Sequence, residues 1–265
     1  AVGGGVAGDL AGLVSALYAR GMSLVHVPTS LTAMVDSSIG GKTAVDLPAG
    51  KNLVGAFHQP ILVVTDVSSL QTLPARALHE GWAEAIKHGF ALDEGLVEFY
   101  ETHSDELLSL DPDLMTKMVA WNIAIKSMVV TEDERETSGL RALLNYGHTI
   151  GHALEVVAGY GRYLHGEAVA IGMSGAARLG TLHGITPPEI VSRQRDILSR
   201  YGLPTTYRDV DTPSLIEAMT RDKKRSAGES RWILLEAVGK ATVHSGIPTE
   251  KVEQILDDLV EGTNI

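Results

Sequence analysis

Cysteine is absent from the 265 residues. That single absence removes disulfide frameworks, thiolate zinc sites and cysteine nucleophiles together, so any metal must rest on His, Asp or Glu. Long apolar runs are lacking too. No stretch approaches the roughly 20 residues needed to cross a bilayer, and no basic segment followed by an apolar core and a small-residue cleavage site opens the chain. The expected location is the cytoplasm, with no membrane partner. Positive charge is in deficit: 22 Lys and Arg stand against 33 Asp and Glu, a formal charge of −11. Such a field repels polyanions and excludes a general nucleic-acid binder, leaving room for a small anion only where Lys and Arg converge.

What is present is an ordinary globular composition, 44% hydrophobic, enough to bury a sizeable core in one large or two medium domains. Leu10, Leu13, Val14 and Leu17 predict a helix over 8–20 with a buried face, ended by Gly21. Residues 23–27 read as a strand stopped by Pro28, 42–60 as a hairpin or irregular loop, and 61–65 as a further buried strand. Beyond Leu73-Pro74 the texture changes to apolar patterns of helical length at 75–92, 112–130, 140–158 and 166–183. A small hairpin around Gly239 and a last helix over 249–260, with Thr249 as its N-cap, complete the pattern. The expected fold is therefore α/β over 1–72, followed by a mainly helical domain over 73–265.

Three features carry chemistry. Gly3-Gly4-Gly5 runs into Val6-Ala7-Gly8-Asp9 where a strand gives way to a helix, the arrangement that lets backbone N–H groups approach a pyrophosphate. A tight turn needing positive φ accounts for the same glycines. Asp36 to Thr43 ends in Gly-Gly-Lys-Thr like the tail of a phosphate loop, but the GxxxxGK[ST] template needs glycine at 36, and Asp36 stands there. Lys42 and Lys51 still offer anion or ribose contacts, against the plainer alternative of a solvated loop.

The third feature is the run Arg141-Ala-Leu-Leu-Asn145-Tyr-Gly-His148-Thr-Ile-Gly-His152. On one helix, positions 141, 145, 148 and 152 fall within about 60° of each other, a polar stripe flanked by Leu143, Leu144 and Ile150. Buried, such a stripe must be paired. A polar face under a loop or at a subunit interface would satisfy it. Two histidines at helical spacing, with a third at His165, point instead to a metal, and Glu84 with Lys87 one turn on offers a carboxylate and a cation. An ordinary surface ion pair is the plain reading of those last two.

In order and spacing, these stretches resemble the 3-dehydroquinate synthase family. The likeness lies in GGGVAGDLAG, YARG, VPTSLTAMVDSSIGGKTAVDLPAGKN, AFHQP, TLPARAL, AEAIKHG, LNYGHTIGHALE and HGEAVAIGM, and it runs through nearly the entire chain. The resemblance implies an enzyme of the shikimate route that uses NAD and one divalent metal, zinc or cobalt. It would convert the anionic sugar phosphate 3-deoxy-D-arabino-heptulosonate 7-phosphate to 3-dehydroquinate and phosphate, as a homodimer. It also implies a metal held by Glu84, His148 and His165, which moves His152 from ligand to substrate neighbour.

By the same resemblance Lys87, Lys126, Arg141, Asn145 and Lys224 (or its neighbour Lys223) hold substrate, and Arg20 reaches across the dimer. Gly4, Gly5, Asp9, Thr29, Ser30, Asp36, Lys42, Lys51 and Asn52 line the NAD site. Ser30, Ala44 and Asp46 stand where the family more often has Thr, Gly and Asn. Family members carry a βαβ-rich segment ahead of the triple glycine, so the nucleotide-binding portion is expected to be incomplete at its start. A sister cyclase making a valiolone- or inosose-type product, a metal-dependent polyol dehydrogenase and a non-catalytic remnant are the competing readings.

Overall fold

The computed structural model describes residues 1–47, 50–159, 161–225 and 231–262, and the side chains of all of these except 50, 51 and 222–225. Along the chain come β1 (Val2–Gly3), α1 (Gly5–Leu17), β2 (Val25–Pro28), β3 (Lys42–Leu47), β4 (Gly50–Phe57), β5 (Leu62–Val63), α2 (Ala75–Leu92), α3 (Glu94–Thr102), α4 (Ser104–Leu108) and α5 (Pro112–Glu132). There follow α6 (His148–Ala158), α7 (His165–Leu182), α8 (Pro188–Arg200), α9 (Thr212–Arg225), β6 (Trp232–Ala237), β7 (Lys240–His244) and α10 (Thr249–Asp258). They form two compact units, Ala1–Ala85 with Asp105–Arg135, and Ile86–Ser104 with Glu136–Ile265. Residues 73–85 and 105–135, grouped with the helical part on sequence, thus cluster with the first unit.

In the first unit β1, β2 and β5 make a parallel sheet in the order β1-β2-β5, with Val2 opposite Val27 and Val25 opposite Leu62. The hairpin β3-β4 is antiparallel, with a register shift between Val45 and Leu47. Helix α5 starts where Asp111 accepts hydrogen bonds from the N–H groups of Asp113 and Leu114, and Pro112 sits in the first turn, where its missing N–H costs nothing.

Helix α1 departs from expectation. Only Leu13 of its large apolar residues is buried, while Leu10, Val14 and Leu17 are exposed. The inward face is made of small residues instead. A Cβ on Gly12 would lie 2.2 Å from Thr43 Cγ2, and one on Gly8 would lie 3.3 Å from the His26 ring. The glycines let the hairpin and sheet come close, and the bulky side chains turn outward in consequence. The strand expected over 61–65 is likewise short and exposed at Ile61, Leu62 and Val64.

Among the described residues the second unit is mainly helical, with one antiparallel hairpin, β6-β7. Its turn contains Gly239 at φ 75°, whose N–H donates to the Phe90 carbonyl at 2.9 Å. A Cβ there would sit 2.5 Å from the Glu94 nitrogen, so glycine serves both the turn and the docking. Helix α10 has Pro248 rather than Thr249 as its N-cap, and Thr249 is the first helical residue.

The helix expected over 140–158 is broken. Residues Arg141–Asn145 form a 3-10 turn, and Gly147 adopts φ 82° before α6 begins at His148. A Cβ on Gly147 would meet Met173 and the Val169 carbonyl of α7 at 2.7 to 2.8 Å. The two helices meet through glycine: a Cβ on Gly172 would lie 1.9 Å from the Gly147 carbonyl oxygen, and one on Gly151 would lie 3.1 Å from that of Ala168. The backbones approach closely because nothing stands between them.

Candidate active site

The first unit gathers most of the residues assigned to a nucleotide. Gly3 ends β1 and Thr29 follows β2, so the glycine turn and Thr29-Ser30 lie at the carboxyl ends of neighbouring parallel strands, where open α/β sheets place ligands. The Thr29 N–H donates to the Gly3 carbonyl at 2.9 Å. Gly4 is the N-cap of α1; a Cβ there would be 3.2 Å from Ser30 Oγ, and one on Gly5 would be 3.3 Å from Ser37 Oγ. The bare backbone keeps this corner open.

Asp36 lies in the π-helical turn Ala33–Ser37, which packs beside α5. Lys126 of α5 donates from Nζ to Asp36 Oδ1 at 2.7 Å and to the Asp36 carbonyl. Asp9 sits near this pair. Burial and then the carboxylates of Asp36 and Asp46 push it up to about 6, against the pull of Lys126. Lys42 and Asn52 are not brought together: Lys42 pairs with Phe57 at one end of the hairpin, and Asn52 lies five residues back along β4, about 16 Å of strand. Asn52 adopts φ 56° and its N–H donates to Asp46 Oδ1 at 3.2 Å. The side chain of Lys51 lies outside the described residues. Arg20 is exposed, at φ 69°.

In the second unit the 3-10 turn separates Arg141 and Asn145 from the histidines, so the four do not share a helical face. Arg141 is buried, and Asn145 Nδ2 donates to Glu136 Oε1 at 3.0 Å. Lys87 and His88, in the last turns of α2, are buried as well. The side chains of Lys223 and Lys224 lie outside the described residues.

The histidines do converge. His148 is the first residue of α6, His165 the first of α7, and His152 stands one turn along α6. Their ring centroids are 5.1 Å (148–152), 5.4 Å (148–165) and 6.1 Å (152–165) apart. His148 Nδ1 lies 3.3 Å from the Tyr146 carbonyl oxygen. Tyr146 is itself fixed, its buried hydroxyl donating to Gln194 Oε1 at 2.6 Å, and burial pushes its phenol up so that it stays a donor. His165 Nδ1 lies 3.5 Å from the carboxylate of Glu155. His148 and His165 thus both turn Nδ1 to a protein oxygen, the orientation in which an imidazole ligates through Nε2. His152, Glu155 and His165 each place one ligand-type atom within 4.8 Å of the others.

Glu155 and Tyr146 were not singled out on sequence. Glu155 is seven residues after His148 and extends the same helical face, a signal hidden by the apolar Ala153-Leu154 between them. Glu84 is fully buried on α2, two residues before the point where that helix enters the second unit.

Residues 1–80 match the 3-dehydroquinate synthase N-terminal family, and residues 81–225 match the 3-dehydroquinate synthase C-terminal family. The chain belongs to the 3-dehydroquinate synthase family. It is 46% identical to the 3-dehydroquinate synthase of Nitrosospira multiformis over 97% of this chain and 70% of that one. The corresponding enzyme of Pelobacter propionicus is 49% identical over 92% of this chain and 67% of that one. Among solved structures, a 2-epi-5-epi-valiolone synthase from Streptomyces hygroscopicus, with NAD+ and Zn2+ bound, superposes with a TM-score of 0.91. It is 29% identical, over 98% of this chain and 72% of that one. A 2-deoxy-scyllo-inosose synthase complexed with carbaglucose-6-phosphate, NAD+ and Co2+ gives a TM-score of 0.86 at 32% identity, over 98% and 73% of the two chains. A probable glycerol dehydrogenase from Sinorhizobium meliloti, 19% identical with a TM-score of 0.63 over 97% and 75% of the two chains, shares the fold alone.

Proposed function

We propose that this chain is a 3-dehydroquinate synthase, which converts 3-deoxy-D-arabino-heptulosonate 7-phosphate to 3-dehydroquinate and phosphate with NAD and one Zn or Co ion as cofactors. The observation that carries the reading is the pair His148 and His165, each opening a helix and each with Nδ1 against a protein oxygen. Two imidazoles so oriented, with one carboxylate, make the donor set of a catalytic zinc or cobalt site that keeps a position for substrate. We assign the carboxylate to Glu84.

When bound, the cation would supply Lewis acidity to a secondary hydroxyl of the substrate, and NAD would accept its hydride and return it after phosphate is eliminated, so that no net redox change would accrue. The chain's own residues bind and orient. Gly4 and Gly5 offer bare backbone, and Thr29 and Ser30 small hydroxyls, at the mouth of the parallel sheet, fit for a pyrophosphate, and we assign Asp9, Asp36, Lys42, Lys51 and Asn52 to other parts of the NAD site. We assign the nucleotide to the α/β portion, 1–72, and the metal and substrate to 73–265, a division by role that differs from the two compact units at 73–85 and 105–135. Lys87, Lys126, Arg141 and Lys224 supply positive charge for the substrate carboxylate and phosphate, and Asn145 bonds a hydroxyl. His152, next to His148 with its ring exposed, exchanges a proton with a substrate oxygen. Arg20, exposed on the first unit, completes the site of a second copy in a homodimer. Ring closure then depends mainly on holding one conformer of an intramolecular aldol. We place the reaction in the cytoplasm.

The higher identity to dehydroquinate synthases, 46–49% against 29–32% for the valiolone and inosose synthases, supports this product over those of the sister cyclases. The test supplies the heptulosonate phosphate with NAD and Co2+ or Zn2+ and follows phosphate release together with dehydroquinate. Equal amounts of both, with no accumulation of NADH, are expected. Net NADH formed from a simple polyol would identify a dehydrogenase instead.

A further inference from the structure

We propose that Glu155 is a positioning residue for the metal centre: its carboxylate accepts the Nδ1–H of His165, fixes that ring's tautomer and aims Nε2 at the cation. The inference rests on the metal reading above and assigns a residue that the reading leaves without a role.

Glu155 has only 5% of its side chain exposed, against 35% for His165. A carboxylate taken out of water needs donors, and a buried one is kept only where it is paired. Both of its oxygens stand 3.5 Å from His165 Nδ1, so the ring nitrogen faces the carboxylate as a whole. The contact joins the middle of α6 to the first residue of α7, ten residues apart in sequence. His165 opens α7 after the extended Leu164, and the carboxylate reaches its ring from the neighbouring helix.

The two histidines are then held by different means. The Tyr146 main-chain carbonyl faces His148, and the Glu155 side chain faces His165. Anionic and neutral acceptors both fix Nδ1–H as the donor, but the anionic one also makes Nε2 more electron-rich and a better ligand. Glu155 could instead ligate directly, since His152, Glu155 and His165 place ligand-type atoms within 4.8 Å. Its near-complete burial and its approach to Nδ1 rather than to an open side of the ring favour the positioning role.

The experiment strips the purified full chain with a chelator and titrates Co2+, following visible absorption of the bound ion, in wild type, Glu155→Gln and Glu155→Ala. Unfolding of each metal-free protein is recorded alongside. We expect Glu155→Ala to weaken Co2+ binding by about 10- to 100-fold, the range for lost outer partners of ligating histidines. Glu155→Gln should weaken it only several-fold, because an amide oxygen still accepts Nδ1–H. A purely structural role would lower the melting temperature of the metal-free protein and leave the cobalt dissociation constant alone, and that pattern overturns the proposal. Equal, complete loss in both variants also overturns it, by marking Glu155 as a ligand. If Glu155→Ala does not fold, unchanged Co2+ affinity in Glu155→Gln overturns it. Wild type that binds no cobalt sinks the metal reading itself, which is a separate result.

Discussion

Lys126 and Asp36, ninety residues apart, meet at 2.7 Å in a contact where the lysine is almost buried and the aspartate only partly so. The ammonium also donates to the Asp36 carbonyl, so it ties the π-helical turn to α5 by side chain and main chain at once. In our reading one of these residues belongs to the nucleotide and the other to the substrate.

Removing the lysine leaves a partly buried carboxylate without this donor. Lys126→Met should therefore lower unfolding free energy by about 2 kcal/mol, measured as a shift of the urea midpoint at constant slope. Asp36→Ala keeps the main-chain carbonyl as an acceptor for the ammonium and should cost less, and the double variant should cost less than the sum, since each change removes the same side-chain contact. Additive costs would show the contact to be energetically idle.

Asp9 gives a pH prediction. Its folded value, about 6, lies above the ordinary carboxylate value of 3.8, chiefly through burial. The native state thus holds the proton more tightly than the unfolded chain, and this contribution to stability is full below 3.8 and is lost as pH rises through about 6. Asp9→Asn should be more stable than wild type at pH 8, by on the order of 1 kcal/mol after solvent screening, and lose that advantage near pH 4. Thermal melts at both pH values decide it; an advantage of the same size at both would refute the assignment.

Ligand removal is the direct test of the metal reading. His165→Ala, His148→Ala and Glu84→Ala should each reduce turnover by at least 100-fold while far-UV circular dichroism stays that of the wild type. Chelated wild type should lose activity and regain it on adding Zn2+ or Co2+. Full activity in a metal-stripped, folded variant would exclude a metal-dependent reaction here.

Tyr146 separates main chain from side chain. Its hydroxyl bonds Gln194, but it is its carbonyl that faces His148. Tyr146→Phe should cost about 1 to 2 kcal/mol of stability by taking the donor from a buried amide oxygen, yet change the Co2+ dissociation constant by less than about threefold. A large loss of metal affinity would show that the hydroxyl contact governs the position of the carbonyl.

Much of this was legible in the sequence. Periodic apolar spacing gave α2, α5 and α7 to within two residues, because a long helix with one buried face repeats its pattern several times. The hairpin around Gly239 and the convergence of three histidines were legible as well. The inward face of α1 was not, because apolar periodicity assumes that large side chains point in, whereas Gly8 and Gly12 allow an approach too close for them. The break at Gly147 was hidden for a related reason: the polar stripe at 141, 145, 148 and 152 has helical spacing, and only the packing of Gly147 on α7 shows the helix starting later. Glu155 was missed because its partner, His165, belongs to another helix.

The contact of Gly172 with the Gly147 carbonyl sets the gauge of the imidazole cage by main chain alone. A methyl group added there would wedge α6 from α7 and spread His148 from His165. A replacement at Val156, on the exposed face of α6, leaves that spacing untouched. Tolerance to change should therefore divide around α6 by which way a residue looks, while α7, buried almost all round, carries the strictest demand at a position that bears no functional group.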